Sequence, residues 1–402
     1  MTPTPFSKGH NPALLAAALK TPNRPGVWGN LGLTGTMRLV SPRAALLAKT
    51  APSLPPPPAD GSRTTTAELL EIALAVGQAD TPFHLIQSQT ALAPFAAELQ
   101  GQAAFRFDAS HVGPYVSQLL LRDIPINGAP VPQLYRIRTG FYGTTTATNA
   151  ELLAGRIPEP QLWAVPLQRI NTPRALASAM HQDPPYLLAL HAAFVLAAIA
   201  QPSGLFAPGP HEIGFVSDGG PVQLHCLLPS VVQSAMRATW LAKFQLYRRR
   251  RPEELFADQA SLHPDWQRLA LPALQLPPGC LPRLYAEGCP LHSDYPSGHA
   301  VIGGAAATIL KAWFADGPWP SPVESRDGIS LEPVTAPLTI HGEIDKLASN
   351  YGWGRNFAGI HYRSSCRGGM LLGEAMAIQA LRGISGRQVQ FRGFSGATVT
   401  AG

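Results

Sequence analysis

Charge is the scarcest feature of this 402-residue chain: Asp, Glu, Lys and Arg make up 14% of it, against about a quarter in an ordinary soluble domain. With 45% apolar residues and a mean hydropathy of +0.03, this composition excludes a chain disordered throughout, which would be apolar-poor and charge-rich. Lysine is rarer still. Six of the 31 basic residues are lysine, so a lysine on an apolar face asks for a reason. Cysteine is limited to Cys226, Cys280, Cys289 and Cys366, which have neither metal-ligand spacing nor the look of a disulfide framework and read as buried free thiols. Long hydrophobic runs are missing. The most apolar stretch, Tyr186 to Ala200, has 15 residues where a bilayer needs about 20, so no membrane span is expected and the stretch reads as a helix buried on all sides. No charged segment followed by an apolar one opens the sequence, so no export signal is visible; localisation stays open, since a trimmed form would look the same. Proline (41) and glycine (37) are abundant without a fixed period, which excludes collagen-like repeats, and neither a heptad nor a 20–50-residue repeat persists.

What is present points to helices. Residues 1–62 are Pro-rich and read as an arm that packs over a core or a neighbour, with Leu54-Pro55-Pro56-Pro57-Pro58 as a stiff polyproline segment. A capping-box spacing at Thr65 and Glu68 opens a helix. Further helices are expected over 88–99, 112–122, 184–200, 229–250, near 265–270, and over 296–314, 341–352 and 361–382. A turn falls at Asn127-Gly128, and 318–339 is irregular with room for short strands. With no βαβ alternation, the expected class is mainly α, with long loops of the kind that carry function. The division is an arm (1–62) and a single helical domain (63–402), its N-terminal half being 63–200 and its second half 201–402.

The net charge of +6 favours an anionic ligand, a nucleic acid or an acidic surface, and three segments can be read as sharing one anion. In Leu241 to Pro252 (LAKFQLYRRRRP), Lys243 follows an apolar helix face and turns inward. On an ideal helix Arg250 shares that face and Arg251 does not, but the residue before proline leaves the α region, so either can join the lysine. The plain alternatives for the four arginines are a solvated helix end or a nucleic-acid patch. In Cys289 to Ala300 (CPLHSDYPSGHA), Ser297 can cap a helix, and its hydroxyl with the free N–H groups of Gly298 and His299 forms an anion site. His292 and His299 stand at the same helix entrance. In Tyr351 to Ser365, Arg355 and His361 can meet only across a Gly-flexed turn, which Gly354 and Gly359 supply. Together these residues describe a tetrahedral oxyanion pocket with one imidazole ligand and one acid–base imidazole.

On AEGCPLHSDYPSGHA (286–300), LAKFQLYRRRRPEEL (241–255) and GRNFAGIHYRSS (354–365), with weaker echoes in VGPYVSQLLLRDIP (112–125) and FSKG (6–9), the sequence resembles the vanadium-dependent haloperoxidases of the algal and cyanobacterial bromoperoxidase type. The resemblance covers most of the chain. It implies two four-helix-bundle-like halves and a homo-oligomer, a dimer or larger. The eight-residue step from Lys243 to Arg251 is the bromoperoxidase spacing, the related chloroperoxidases and acid phosphatases using seven, and it selects Arg251 over Arg250. By the same resemblance His361 binds the metal, Lys243, Arg251, Arg355, Ser297 and Gly298 hold the vanadate oxygens, His299 is the acid–base catalyst, and His292 is the additional histidine of bromoperoxidases. The implied reaction takes hydrogen peroxide and bromide, or another halide, to hypohalous acid, which halogenates small organic acceptors. An empty site of this kind should capture phosphate or sulfate. A nucleic-acid partner is not expected.

The sequence also departs from the family. Ser365 stands where Asp is common four residues after the key histidine, Ala242 where Trp or Arg is usual, and Leu291 and Ser293 flank His292 in place of Thr and Pro. These changes bear on halide preference and rate. The alternative on the same scaffold is an acid phosphatase with His361 as nucleophile, which wants a carboxylate to orient that ring; Ser365 speaks against it.

Overall fold

The computed structural model describes residues 53–100, 112–181, 184–203, 220–384 and 389–401. The FSKG segment and most of the expected arm lie outside the described residues. Within them the α-helices are α1 (Arg63–Gly77), α2 (Ala96–Gln100), α3 (Gln118–Leu121), α4 (Thr146–Leu153), α5 (Pro173–Ala179), α6 (Leu187–Ser203), α7 (Pro221–Leu241), α8 (Pro252–Ala257), α9 (Gly298–Trp313), α10 (Ile340–Phe357) and α11 (Arg363–Leu381). Four two-stranded antiparallel sheets decorate them: β1 (Ile124–Ile126) with β2 (Ala129–Val131), β3 (Arg138–Thr139) with β4 (Leu162–Trp163), β5 (Val323–Glu324) with β6 (Glu332–Pro333), and β7 (Val389–Arg392) with β8 (Thr398–Ala401). The fold is mainly α, as expected. Asn127 and Gly128 both have positive φ and close the β1–β2 hairpin, the backbone that a tight two-residue hairpin turn requires.

The second half centres on α9, packed against α7, α10 and α11. Small residues make this approach possible. A Cβ on Gly303 would come within 2.9 Å of the Ala348 carbonyl on α10, and one on Gly369 within 2.6 Å of the Ser297 carbonyl; one on Gly373 would collide with the backbone of Val301 and Ala305. From the first half, α1 and α5 pack on α10, and α6 packs on α7 and α9.

Several expectations need correction. The helix expected over 229–250 begins at Pro221, carries Pro229 in its interior, and ends its α-helical part at Leu241; a π-turn, Ala242–Tyr247, follows. The segment 112–122 is helical only over Gln118–Leu121, and 88–99 is a 3₁₀ turn (Thr90–Phe95) running into α2. Ser62, not Thr65, caps α1, accepting from the Thr65 N–H at 3.1 Å; Glu68 is then free to point into the core. Helix α6 buries Leu188, Ala192, Val195 and Leu196 but leaves Leu187 and Ala198 exposed, so it has an outer face. No disulfide joins the four cysteines; three are buried and Cys226 is exposed. No described helix is long and apolar enough to cross a membrane. The polyproline segment lies on the core: Leu54 is buried, and its carbonyl and that of Pro55 accept from the hydroxyls of Tyr247 and Tyr295 at 2.8 and 2.7 Å.

The α9–α11 seam gives a stability prediction. Gly373→Ala should lower unfolding free energy by about 1–3 kcal/mol through overpacking, whereas Gly77→Ala, which meets no atom within 4 Å, should be neutral or slightly stabilising; chemical denaturation of both variants checks this.

Candidate functional site

The arginine run is aimed by backbone geometry. After the π-turn, Arg248 takes the left-handed conformation (φ 47°) and breaks the helix. Arg251 is extended (φ −74°, ψ 156°), because it precedes Pro252 at the start of α8. In this extended stretch successive side chains point to different sides. Arg249 enters the core, where it donates to Glu68 Oε2 at 3.0 Å and to Ser364 Oγ at 2.6 Å. Arg250 turns to the surface carboxylates of Asp60 and Asp258 at 2.7 and 2.6 Å. Arg251 is wholly buried and reaches His292 and His361. Of the run, Arg251 is thus the arginine placed beside the two histidines, while Arg250 pairs with surface carboxylates and Arg248 is exposed.

Residues 292–294 are the rail along which the site is built. The Lys243 ammonium donates to the carbonyls of Ser293 and Asp294, both at 2.7 Å, and the Ser293 hydroxyl donates back to the Lys243 carbonyl at 2.7 Å. Arg251 Nε donates to the His292 carbonyl at 2.8 Å and its Nη1 to the Ile360 carbonyl at 2.7 Å. Its Nη1 lies 3.0 Å from Nε2 of His361, and its Nη2 lies 2.9 Å from Nδ1 of His292. His292 also rests edge-on against Trp240, with ring centroids 5.1 Å apart.

His361 follows the turn at Gly359 (φ 81°), which separates α10 from α11. Of the two glycines expected to flex this connection, only Gly359 does so. Gly354 lies inside α10, where a Cβ would come within 2.9 Å of the Met180 Cβ; its role is close packing on α5. Nδ1 of His361 is 2.6 Å from Asp294 Oδ1, and the other carboxylate oxygen of Asp294 contacts the Ser365 hydroxyl. Asp294 is fully buried and 3.8 Å from both Arg249 and Arg251. A carboxylate at Nδ1 keeps the ring proton there and leaves the Nε2 lone pair directed at Arg251.

Ser297 stands at the N-cap of α9, but its hydroxyl makes no capping bond; its N–H instead donates to the Ser365 carbonyl at 2.9 Å. Gly298 opens the helix, where N–H groups lack intrahelical acceptors. Arg355 Nη1 donates to the Tyr285 hydroxyl at 3.1 Å, and the guanidinium acts electrostatically on Lys243, Arg251, His299 and His361. Two buried polar atoms at this spot, His299 Nε2 and Arg355 Nε, have no hydrogen-bond partner in the protein, and the Ser297 hydroxyl meets the Cys366 thiol. Such orphans are costly unless a ligand satisfies them.

The electrostatics agree. Burial, then Arg251, push the Lys243 ammonium well below its usual range. Burial, with Arg251, Lys243 and Arg355, does the same to His361, and burial with Arg355 does it to His299. Both imidazoles are therefore neutral at pH 7. Burial raises the Asp294 carboxyl against the pull of Arg249, Arg251 and Lys243. Lys243, Arg251, His292 and His361 thus meet along the rail, Arg355 and His299 are coupled to His361 electrostatically, and Ser297 and Gly298 stand at the helix start next to His299.

Reading the sequence missed the support around them. Asp294 gave no signal beyond adjacency to His292. Glu68 was assigned to a cap, but its carboxylate accepts from Arg249, from the Ser364 N–H at 2.6 Å and from the Ser364 hydroxyl at 2.9 Å. Glu71 likewise pairs with Arg363. Helix α1 thereby pins the start of α11, two residues beyond His361. A separate cavity of about 1170 Å³ opens between Phe83, Leu92, Tyr115 and Arg326, and none of the residues above except Glu71 and Arg363 lines it. Because Arg249 and Glu68 are an almost fully buried pair, Glu68→Ala should destabilise the fold by roughly 3–5 kcal/mol, with a matching fall in thermal midpoint; a change under 1 kcal/mol would count against this pinning role.

Comparison with known proteins points the same way. Residues 223–386 match the family model described as the second helical-bundle domain of VCPO. The chain is similar to a vanadium-dependent bromoperoxidase of Ascophyllum nodosum, 29% identical over 412 residues and covering 86% of this chain and 73% of the relative. It is also similar to that of Corallina pilulifera, 32% identical over 253 residues, 53% of this chain and 42% of that relative. The fold matches the solved homohexameric structure of the second vanadate-dependent bromoperoxidase of Ascophyllum nodosum, with a TM-score of 0.75 at 24% identity, across 87% of this chain and 72% of that one. With the helical architecture already described, these matches support a vanadium haloperoxidase.

Proposed function

We propose that the enzyme is a bromoperoxidase that uses vanadate held at Nε2 of His361, taking hydrogen peroxide and bromide to hypobromous acid, with small organic acceptors halogenated in turn. One observation carries this reading: the buried cationic side chains of Lys243, Arg251 and Arg355 and two partnerless polar atoms, His299 Nε2 and Arg355 Nε, cluster about an imidazole whose Nε2 is met by the Arg251 guanidinium at 3.0 Å. Among the described residues, no group of three or more His, Cys, Asp or Glu side chains could hold a bare metal ion. The donor set instead suits a metal that arrives as an oxyanion and takes a single protein nitrogen.

In this reading Lys243, Arg251 and Arg355 hold the anion's charge through charge-assisted hydrogen bonds, each contributing roughly 1.5–3 kcal/mol. The Ser297 hydroxyl and the first-turn N–H of Gly298 donate to it. Bound vanadate supplies Lewis-acid activation of peroxide toward the halide. His299, neutral and with Nε2 unpartnered, would hold or pass on a proton at that atom. His292, beside Arg251, is a second proton-handling group at the rim. Burial of these groups excludes water and strengthens every charge interaction among them.

With vanadate loaded, the protein should brominate a phenol-red-type dye when given bromide and peroxide. Arg251→Ala should weaken vanadate binding about 10- to 100-fold, Arg250→Ala should leave it unchanged, and His299→Ala should keep binding while losing about 10²–10⁴ in turnover. Absence of bromination by vanadate-loaded wild-type protein rejects the proposal. A second reading, phosphoryl transfer through His361, draws on the Asp294 contact; acid-labile phosphohistidine trapped at His361 during turnover would establish it instead.

The enzyme is also proposed to be a homo-oligomer. The Ascophyllum structure it resembles is a homohexamer. Light scattering should give a multiple of 42.8 kDa; a monomer at micromolar concentration overturns this.

A further inference from the structure

The carboxylate beside His361 comes from a distant segment of the chain. The residue four positions after His361, on the first turn of α11, is Ser365, which has no carboxylate to offer. Yet His361 does not lack one. Asp294 approaches from the 292–294 rail, its Oδ1 2.6 Å from Nδ1 of His361 and its Oδ2 against the Ser365 hydroxyl. Ser365 also accepts from Arg249 Nη1 at 3.2 Å, and the backbone N–H of Asp294 donates to the Arg249 carbonyl at 2.9 Å. Each of these groups is buried.

We infer that Asp294 is the positioning residue of His361, that it sets the Nδ1–H tautomer and leaves Nε2 free for the oxyanion's metal, and that Ser365 serves as the clamp holding the Asp294 carboxylate in place. Two features support the exchange. A hydroxyl donor at 365 has a use only if an acceptor faces it, and Asp294 Oδ2 is that acceptor. A carboxylate placed at 365 would sit in the same cluster, within reach of Arg249 and at the favourable end of α11. The two positions are therefore interchangeable in charge, and the pair, not either residue alone, supplies the orienting group. An imidazole ligand held by a carboxylate at its second nitrogen keeps its orientation and its basicity; losing that partner typically costs about 10–100-fold in metal affinity.

The inference rests on vanadate binding at His361, and the experiment separates the two. Vanadate affinity is measured by titration calorimetry for wild type, Asp294→Asn, Asp294→Ser and the exchange pair Asp294→Ser with Ser365→Asp, with thermal midpoints as the check on folding. The tautomer of His361 is read from long-range ¹H–¹⁵N spectra of histidine-labelled protein without vanadate. The expected result is a roughly 10–100-fold weaker dissociation constant in both single variants, recovery to within a few-fold of wild type in the exchange pair, and an Nδ1–H tautomer at His361 that is lost in Asp294→Asn. A merely structural role for Asp294 would change the midpoint without moving the tautomer. Wild-type affinity in Asp294→Asn overturns the inference, as does an exchange pair no tighter than Asp294→Ser. If the single variants fail to fold, the exchange pair alone decides. If wild type binds no vanadate, the proposed function falls, while the tautomer measurement still tests Asp294 by itself.

Discussion

Packing Lys243, Arg251 and Arg355 into one water-poor space is the constraint from which most of this structure follows. Like charges repel strongly in a low-dielectric interior, and burial alone already drives the lysine ammonium toward its neutral form. Backbone carbonyls relieve part of the strain: those of residues 292–294 and 360 are spent on the lysine and on Arg251. Asp294 offsets another part. What is left unbalanced is positive charge together with two polar atoms, His299 Nε2 and Arg355 Nε, that no protein group satisfies. A small anion resolves all of it at once, which is why the site is best understood as half of a complex.

Holding such a site open needs a rigid frame, and the chain provides it in two layers. Nearest the pocket, the rail of 292–294 is laced to the Lys243 carbonyl and the Arg249 carbonyl. Behind it, Glu68 and Glu71 on α1 grip Arg249, Ser364 and Arg363, fixing the start of α11 and with it the imidazole two residues upstream. The arginine run shows how little sequence such precision takes. A π-turn, one left-handed residue and a proline direct three consecutive guanidiniums into the core support, the surface and the pocket. π-turns recur at functional sites because the extra residue re-aims side chains beyond it.

How legible this was in the sequence depended on whether the signal was local. Helices α1, α9 and α11 follow from apolar spacing and were placed within a few residues. Helix α7 was started eight residues late, because Pro229 reads as a beginning and is in fact tolerated inside. The π-turn is invisible to an ideal-helix wheel, which is why spacing could not choose between Arg250 and Arg251, while the proline that follows Arg251 hinted at the answer. The residues proposed to hold the anion lie in short motifs, where their chemistry can be read locally. The residues that position them cannot be read that way. Glu68 lies 181 positions from Arg249 and Asp294 lies 67 from His361, and nothing in a linear pattern pairs them.

Asp294 also changes how the two chemistries compatible with this scaffold are told apart. Ser365 counted against a phosphatase as long as the orienting carboxylate was sought four residues after His361. With Asp294 at 2.6 Å from Nδ1, the imidazole is oriented well enough to act as a nucleophile or as a ligand, so that objection loses its force. The discrimination shifts to the surroundings of Nε2. A phosphoryl-transfer nucleophile has to be approached in line and then released by water, which favours an open Nε2. Here Nε2 faces the guanidinium of Arg251 at 3.0 Å, with Lys243 and Arg355 acting on the ring electrostatically and Trp240 edge-on to His292. That cationic setting suits an oxyanion retained through many turnovers, with small reagents such as peroxide and halide passing in and out, better than one that must leave with each cycle. The balance between the two activities is thus set by how firmly the cationic side chains hold their anion, and not by the carboxylate behind the ring.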